Sequence, residues 1–114
     1  MKKGLIPFPY TDLSSSKRRP ALLLLERKDD VVVAFISSRI PSIMEKCIIP
    51  IQKTNKEFSE TGLKLDSALY LDKIATIRKD LILGEISEIG KKLKSRINKN
   101  FKKLYSFNFS FLRI

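Results

Sequence analysis

The sequence predicts an α+β domain that is mainly β: a small, strongly bent antiparallel sheet or barrel followed by one C-terminal amphipathic helix. Two observations favour this class. Short apolar segments rich in β-branched residues recur through residues 1–89 and are separated by polar turns. Near residue 91 the hydrophobic period changes to that of a helix. The 114 residues, 43% of them hydrophobic, are expected to form a single domain, residues 1–114, with a core of its own.

The first half of the chain contains most of the predicted strands. The first covers residues 1–8, and the second covers 21–26, where an uninterrupted apolar run is expected to be buried on both faces. A polar link of four residues leads to a third strand at 31–38, so these two strands form a hairpin. A short fourth strand at 47–51 contains Pro50, which lacks an N–H donor and therefore favours a sheet edge.

The second half is less regular. Residues 52–62 are predicted as a polar loop, and residues 63–77 as one or two strands that bend around Asp66. A single helical turn at 78–83 and a last short strand at 85–89 complete the sheet.

Residues 91–106 are predicted as an amphipathic helix because apolar side chains recur there every three or four positions. The apolar stripe comprises Leu93, Ile97, Phe101, Leu104 and Tyr105. The opposite face comprises Lys91, Lys92, Lys94, Arg96, Lys99, Lys102 and Lys103. This basic face is either a solvated surface or a contact for nucleic acid. In the tail, Phe107, Phe109 and Phe111 alternate with other residues and are expected on one side.

The composition of the chain excludes several classes of site and indicates the kind of partner. A net charge of +11 and a pI near 10.0 indicate a polyanionic partner. The sequence has no histidine, so neither a histidine metal site nor a Ser-His or Cys-His nucleophile pair can form. The lone Cys47 excludes an intrachain disulfide and suits a reducing compartment. No apolar run approaches the ~18 residues of a membrane span. We expect a cytoplasmic protein without a metal or cofactor.

The most informative stretch is residues 7–20, Pro-Phe-Pro-Tyr-Thr-Asp-Leu-Ser-Ser-Ser-Lys-Arg-Arg-Pro. Two prolines end an apolar approach, a serine-rich loop follows, and Lys17, Arg18 and Arg19 stand before the last proline, which disfavours helix at Arg19. An isolated arginine at a strand start is usually a solvated cation. Three adjacent cations at the mouth of a buried strand instead favour an anion site, since arginine's fork of N–H donors matches two phosphoryl oxygens.

The order Pro-Phe-Pro-Tyr-x-Asp-Leu-Ser-x-Ser-Lys-Arg-Arg-Pro-Ala, followed by an aliphatic strand, resembles the MazF/PemK family of toxin endoribonucleases. Weaker similarities follow in Thr61-Gly62-Leu63, Asp66-Ser67 and Asp72-Lys73-Ile74-x-Thr76-Ile77. The resemblance spans residues 4–104 and implies an SH3-like barrel, a homodimer and neutralisation by a small acidic antitoxin. The family usually opens with Gly-Asp and a longer first strand, whereas Gly4 is followed here by Leu5 and Ile6.

The resemblance also implies the site. Arg19 falls on the family's catalytic arginine, and Ser37 falls on a strand-end hydroxyl that is usually threonine in the family. Residues expected to bind RNA are Tyr10, Ser16, Lys17, Arg18 and Ser38, with Tyr10 as the best candidate for base stacking. The implied reaction cleaves single-stranded RNA at a short preferred sequence and leaves 2′,3′-cyclic phosphate and 5′-hydroxyl ends.

This reaction needs no protein nucleophile, because RNA carries its own in the 2′-hydroxyl beside the scissile phosphate. The protein must align that hydroxyl and stabilise charge on the phosphoryl oxygens. Arginine suits the second task, but it remains protonated in proteins and is therefore a poor general base.

Three other functions use the same features. A non-catalytic nucleic-acid-binding barrel would bind through the same cations without cleavage, and a relative on the same fold inhibits DNA gyrase. A membrane-surface protein would use the basic helix and the phenylalanine tail.

Overall fold

The computed structural model describes residues 2–7, 18–82, 87–106 and 110–113. Within these residues six strands form one sheet in the order β4-β5-β3-β2-β1-β6, with every neighbouring pair antiparallel. The strands are β1 Lys2–Pro7, β2 Arg18–Glu26, β3 Asp30–Ser37, β4 Ile48–Ile51, β5 Ser67–Arg78 and β6 Ser87–Glu88. The helices are α1 Phe58–Thr61 and α2 Lys91–Leu104, and a 3₁₀ turn covers Lys79–Leu81.

The predicted fold class is confirmed: the chain is mainly β, and its bent antiparallel sheet is followed by an amphipathic C-terminal helix. The sheet is open. Its described strands leave β4 and β6 as the two edges, so the strand order does not close into a barrel. The expected edge position of the strand that contains Pro50 is also confirmed.

The central strand β3 separates two apolar clusters, because alternate side chains of a strand point to opposite faces. Ala34 and Ile36 enter the larger cluster, which α2 covers through Leu93 and Ile97. Val33 enters a smaller cluster on the other face. The larger cluster also contains Leu22, Ile49, Ile51, Leu69, Leu71 and Ile89; Ala21, Val31 and Ile77 complete the smaller one.

Strand β2 is less buried than its sequence predicts. Ala21 and Leu22 are 1% and 2% exposed, whereas Leu25 is 55% exposed. The pairing of β2 with β3 shifts by one residue between Leu23 and Leu25. A bulge of this kind bends the strand and carries its end away from the core.

The chain bends at residues 64–65, beside Asp66 as predicted, but residues 63–66 are not a strand and β5 begins only at Ser67. Residues 67–78 form one strand, and its pairing with β3 jumps from Phe35–Tyr70 to Ala34–Ile74, so residues 71–73 form the irregularity. There the Leu71 N–H donates to the Cys47 carbonyl (2.8 Å), and the Leu71 carbonyl accepts the Tyr105 hydroxyl (2.6 Å). The first bond continues the β4–β5 pairing by one residue, and the second ties the irregularity to the end of α2.

The helical stripe was predicted correctly over its first three turns. Leu93 and Ile97 are buried and Phe101 packs against them, but Leu104 is 36% exposed. Leu104 lies where the helix ends and lines a cavity of about 490 Å³ together with Lys46, Ile48, Asn100 and Lys103. None of the described helices is long and apolar enough to cross a membrane.

The end of α2 meets a small polar cluster beside β4. Tyr105 stacks on Phe101 with ring centroids 5.4 Å apart. Burial raises the pKa of the Tyr105 phenol, and the Asp72 carboxylate raises it further. Burial likewise raises the pKa of the half-buried Cys47 thiol, assisted by the charges of Asp72 and Glu45. Both groups are therefore held in their neutral forms.

Helix α1 was not predicted, since residues 52–62 suggest only a polar loop. The short helix forms because Phe58 packs against the larger cluster and the Asn55 side-chain oxygen accepts the Glu57 N–H (2.8 Å). The predicted phenylalanine alternation in the tail falls mostly on positions 107 and 109, which lie outside the described residues. Phe111 is fully exposed in an irregular segment.

Helix α2 is capped by a residue from outside its own sequence. The Glu57 Oε1 accepts the backbone N–H of Leu93, the third helical residue, at 3.0 Å. Gly90 precedes the helix, and a Cβ at this position would overlap the Glu57 carboxylate. The absence of a side chain at Gly90 thus makes room for the Glu57 carboxylate. This carboxylate accepts an otherwise unpaired N–H of the first helical turn, and its negative charge interacts favourably with the positive end of the helix dipole.

We predict that Gly90→Ala and Glu57→Ala each lower the free energy of unfolding by about 1–2 kcal/mol, because each removes the same cap. The double variant should lose little more than either single variant, since both changes act on one interaction.

Urea unfolding midpoints test this prediction. Glu60→Ala, which removes an exposed carboxylate from the same short helix, is the matched control and should change stability by less than about 0.5 kcal/mol. Fully additive losses in the double variant would show that Gly90 and Glu57 act independently.

Candidate nucleic-acid interface

A groove of about 400 Å³ opens where β2 begins and β3 ends. Its polar side chains come from three parts of the chain: the start of β2, the end of β3, and the segment that leads into β5. The residues lining it are Arg19, Pro20, Ile36, Ser37, Ser38, Arg39, Leu63, Lys64, Leu65 and Ser67. Arginine and serine side chains that are distant in sequence therefore share one groove.

Sheet register brings the first two parts together. Ala21 pairs with Phe35 across the β2–β3 ladder, and the same register continued by two residues sets Arg19 opposite Ser37. On its other side Arg19 pairs with Ile6 of β1. The arginine backbone is thus held between two strands, while its side chain is half-buried at the groove.

The end of β3 is shaped by a hydroxyl. The Ser37 Oγ accepts the backbone N–H of Arg39 at 3.1 Å, a local turn that stops the strand. This bond fixes the serine rotamer and leaves the hydroxyl hydrogen available to donate elsewhere. Because β3 ends at Ser37, Ser38 and Arg39 leave the sheet and line the same groove.

The third part is fixed by a tight turn after α1. The buried Thr61 hydroxyl donates to the Phe58 carbonyl (2.6 Å) and accepts the Leu63 N–H (3.1 Å). Gly62 between them has φ 75°, a left-handed conformation that favours glycine. The turn directs Leu63 and Lys64 across the groove.

Two further hydrogen bonds hold the segment where it joins β5. The Asp66 carboxylate accepts the Lys53 N–H (2.6 Å), and the Ser67 hydroxyl donates to the Leu65 carbonyl (2.9 Å). Asp66 thereby fastens the approach to β5 rather than bending the strand itself.

The groove is electropositive. Arg19, Arg39 and Lys64 are the cations among its described lining residues, and none of those residues is a carboxylate. The hydroxyls of Ser37 and Ser38 add donors, whereas the Ser67 hydroxyl already donates to the Leu65 carbonyl. Converging guanidinium, ammonium and hydroxyl donors are what a phosphodiester requires. No three carboxylate or thiol side chains in the described part of the chain lie close enough together to hold a metal ion.

The structure brings three of the seven predicted site residues together, since Arg19, Ser37 and Ser38 all line the groove. Arg18 begins β2 and its backbone pairs with Pro7. The remaining three, Tyr10, Ser16 and Lys17, lie outside the described residues.

Sequence reasoning missed two cations of the groove. Arg39 directly follows the Ser37-Ser38 pair, and this adjacency could have indicated it. Lys64 had no such signal, because its position depends on the turn at Gly62 and on the packing of Leu63 against the core.

Two solved structures are similar to this fold. A Mycobacterium tuberculosis toxin, MazF-mt6, superposes with a TM-score of 0.70 at 15% identity, covering 96% of this chain and all of the other. An endoribonuclease in complex with its cognate antitoxin, from mycobacterial species, gives a TM-score of 0.65 at 15% identity and covers 96% and 95% of the two chains. At this identity the likeness shows the fold alone.

No curated protein sequence matches the chain significantly. The model of one protein family does match the chain, over residues 5–105. This range includes the groove and both helices. The chain therefore belongs to the family of PemK-like, MazF-like toxins of type II toxin–antitoxin systems.

Proposed function

We propose that this toxin is a metal-independent endoribonuclease that cleaves single-stranded RNA in the cytoplasm at a short preferred sequence. The observation that carries the proposal is the groove, where Arg19 and Ser37 meet Arg39 and Lys64 without a carboxylate among the described lining residues. A site of this charge attracts a phosphodiester, and no carboxylate among the described lining residues opposes that attraction.

The chemistry follows from the donors available. The RNA 2′-oxygen attacks the adjacent phosphorus, the new 2′-O–P bond forms, and the P–O5′ bond breaks. The 2′-hydroxyl proton passes to solvent, and the departing 5′-oxygen takes up a proton. The products are a 2′,3′-cyclic phosphate and a 5′-hydroxyl end, so no metal or covalent enzyme intermediate is required.

Arg19 is assigned two tasks. Its guanidinium stabilises the negative charge that develops on the equatorial phosphoryl oxygens, and it passes a proton to the departing 5′-oxygen, which solvent returns at once so that the guanidinium stays protonated. Ser37 donates its hydroxyl hydrogen to a phosphoryl oxygen. The orientation of this hydroxyl is fixed because its oxygen accepts the Arg39 backbone N–H. Arg39 and Lys64 bind the neighbouring phosphates.

We predict that Arg19→Ala lowers the cleavage rate by ~10²–10³-fold, because removing one charge-stabilising donor has this typical effect. Arg19→Lys should recover part of the loss, since it restores the charge without the planar fork. The assay is cleavage of a long mixed-sequence RNA in EDTA, with product ends mapped. Arg27→Ala, which removes an exposed arginine from the β2–β3 turn, is the control.

Discrete cuts that bear 5′-hydroxyl ends, lost in Arg19→Ala and kept in Arg27→Ala, support the mechanism. A folded wild type that cuts nothing in EDTA contradicts it. Inhibition of DNA gyrase would then be the next activity to measure.

We predict that Ser37→Ala lowers kcat by ~10²-fold, the effect of losing one transition-state donor. Ser37→Thr should retain activity, because the hydroxyl is kept. Ser38→Ala should mainly raise KM, since Ser38 is assigned to binding. Single-turnover cleavage separates the two parameters. If Ser38→Ala has the larger effect on kcat, the roles of the two serines must be exchanged.

The charge of the groove also favours an acidic protein partner. We propose that the toxin is a homodimer and that an acidic segment of its cognate antitoxin competes with RNA for the groove. A net charge of +11 and the cations of the groove support such a partner. One of the similar structures is a complex with its cognate antitoxin.

The antitoxin encoded beside the toxin should displace a single-stranded oligonucleotide from the groove, and Arg39→Ala/Lys64→Ala should weaken binding of both ligands by ~10-fold or more. Competition followed by fluorescence anisotropy measures this, and sedimentation equilibrium should give twice the 13.1 kDa chain mass. Simultaneous binding of antitoxin and oligonucleotide would refute the shared groove. A mass equal to that of one chain would refute the dimer.

A further inference from the structure

We propose that the outward face of α2 is a second phosphate-binding surface, which holds the RNA backbone beyond the groove; this inference rests on the proposed function. The surface is a shallow depression of about 430 Å³ along the helix. We call it the lysine strip, and it consists of Lys91, Lys94, Ser95, Asn98, Lys99 and Lys102.

The lysine strip is unfavourable for the helix that carries it. Helix α2 contains seven lysine or arginine residues and no acidic residue. Lys91 and Lys94 lie in the first turn, where the helix dipole already places positive charge. The pairs Lys91–Lys94 and Lys99–Lys102 are spaced three residues apart, and like charges at this spacing destabilise a helix.

Within the described residues no lysine or arginine of α2 forms an ion pair. The two ion pairs of these residues, Arg78–Asp80 and Lys79–Glu26, lie elsewhere. Glu57 reaches the start of α2, but its carboxylate accepts a backbone N–H. The helix is instead held by Leu93 and Ile97 in the core. The lysines thus oppose local stability without serving the fold, a pattern typical of functional surfaces.

The shape of the lysine strip fits a nucleic-acid backbone. From Lys91 to Lys102 the helix rises ~16 Å, long enough to meet several consecutive phosphates. Lysines are flexible point charges, suited to contacts that do not depend on sequence. The strip contains no aromatic or large apolar side chain to anchor a protein partner. Membrane insertion is disfavoured because the apolar face of α2 is already buried in the core.

The lysine strip is also close to the groove. Glu57 contacts the beginning of α2, and Leu63 lines the groove. The intervening chain is mostly the single helical turn α1, so its two ends lie within ~15 Å of each other. An RNA strand that leaves the groove along this segment meets the lysine strip.

The test compares two variants of equal charge. Lys94→Gln/Lys99→Gln/Lys102→Gln removes three cations from the lysine strip, and Arg27→Gln/Lys28→Gln/Lys73→Gln removes three exposed cations outside it, two from the β2–β3 turn and one from the middle of β5. The probe is a long single-stranded oligodeoxynucleotide, which has no 2′-hydroxyl and cannot be cleaved. Its dissociation constant is measured by fluorescence anisotropy over a series of salt concentrations.

A plot of the logarithm of the association constant against the logarithm of the salt concentration has a negative slope. We predict that the strip variant makes this slope shallower by about 2, the value for three lost phosphate contacts on a single strand. The control variant should keep the wild-type slope. The strip variant should also unfold at the same or a higher temperature, because like-charge repulsion is relieved. A slope change with a wild-type melting curve therefore cannot be ascribed to misfolding.

The two proposals can fail separately. If the strip variant binds like wild type while Arg19→Ala abolishes cleavage, the lysine strip proposal is wrong and the nuclease stands. If the wild type cuts no RNA but the strip variant still has the shallower slope, the lysine strip is confirmed as a backbone contact and the nuclease fails. Unchanged oligonucleotide binding, with weaker binding to polyglutamate or to anionic vesicles, would overturn the proposal in favour of an acidic protein or a membrane.

Discussion

The register between β2 and β3 is the constraint on which the groove depends. It is fixed by burial on both faces: Ala34 belongs to one apolar cluster and Val33 to the other. A shift of one residue would exchange the faces of every β3 side chain and expose core residues to water. Because the core excludes such a shift, the same register, continued two residues beyond its last pair Ala21–Phe35, brings Arg19 level with Ser37 at the rim of the sheet.

Residues 57–67 connect the core, the helix and the groove. Glu57 caps α2 at one end of this segment, while Leu63 and Lys64 line the groove at the other. Between them, the Thr61 hydroxyl and the left-handed Gly62 determine the direction of the chain. The helix and the groove are therefore positioned by one short piece of chain, which Phe58 and Leu63 anchor against the core.

The positive charge of the molecule is organised by the fold. Three cations line the groove, and another set lies along α2. In both places the described neighbours include no carboxylate that would neutralise them by an ion pair. Since surface charges interact weakly through water at physiological salt, each group acts mainly on a ligand in direct contact. A flexible polyanion can meet both groups in succession, which a small anion cannot do.

The sequence by itself determined the features that depend on local patterns. Alternating and β-branched segments predicted the strands, the four-residue period around Leu93 and Ile97 predicted α2, and the cations before residue 20 predicted an anion site at Arg19. Tertiary structure decided the rest. Lys64 joins the groove only through the turn at Gly62, and Glu57 caps a helix that begins more than thirty residues later. The irregularity at residues 71–73 is tied by hydrogen bonds to Cys47 and Tyr105. These contacts join residues far apart along the chain, so no local period encodes them.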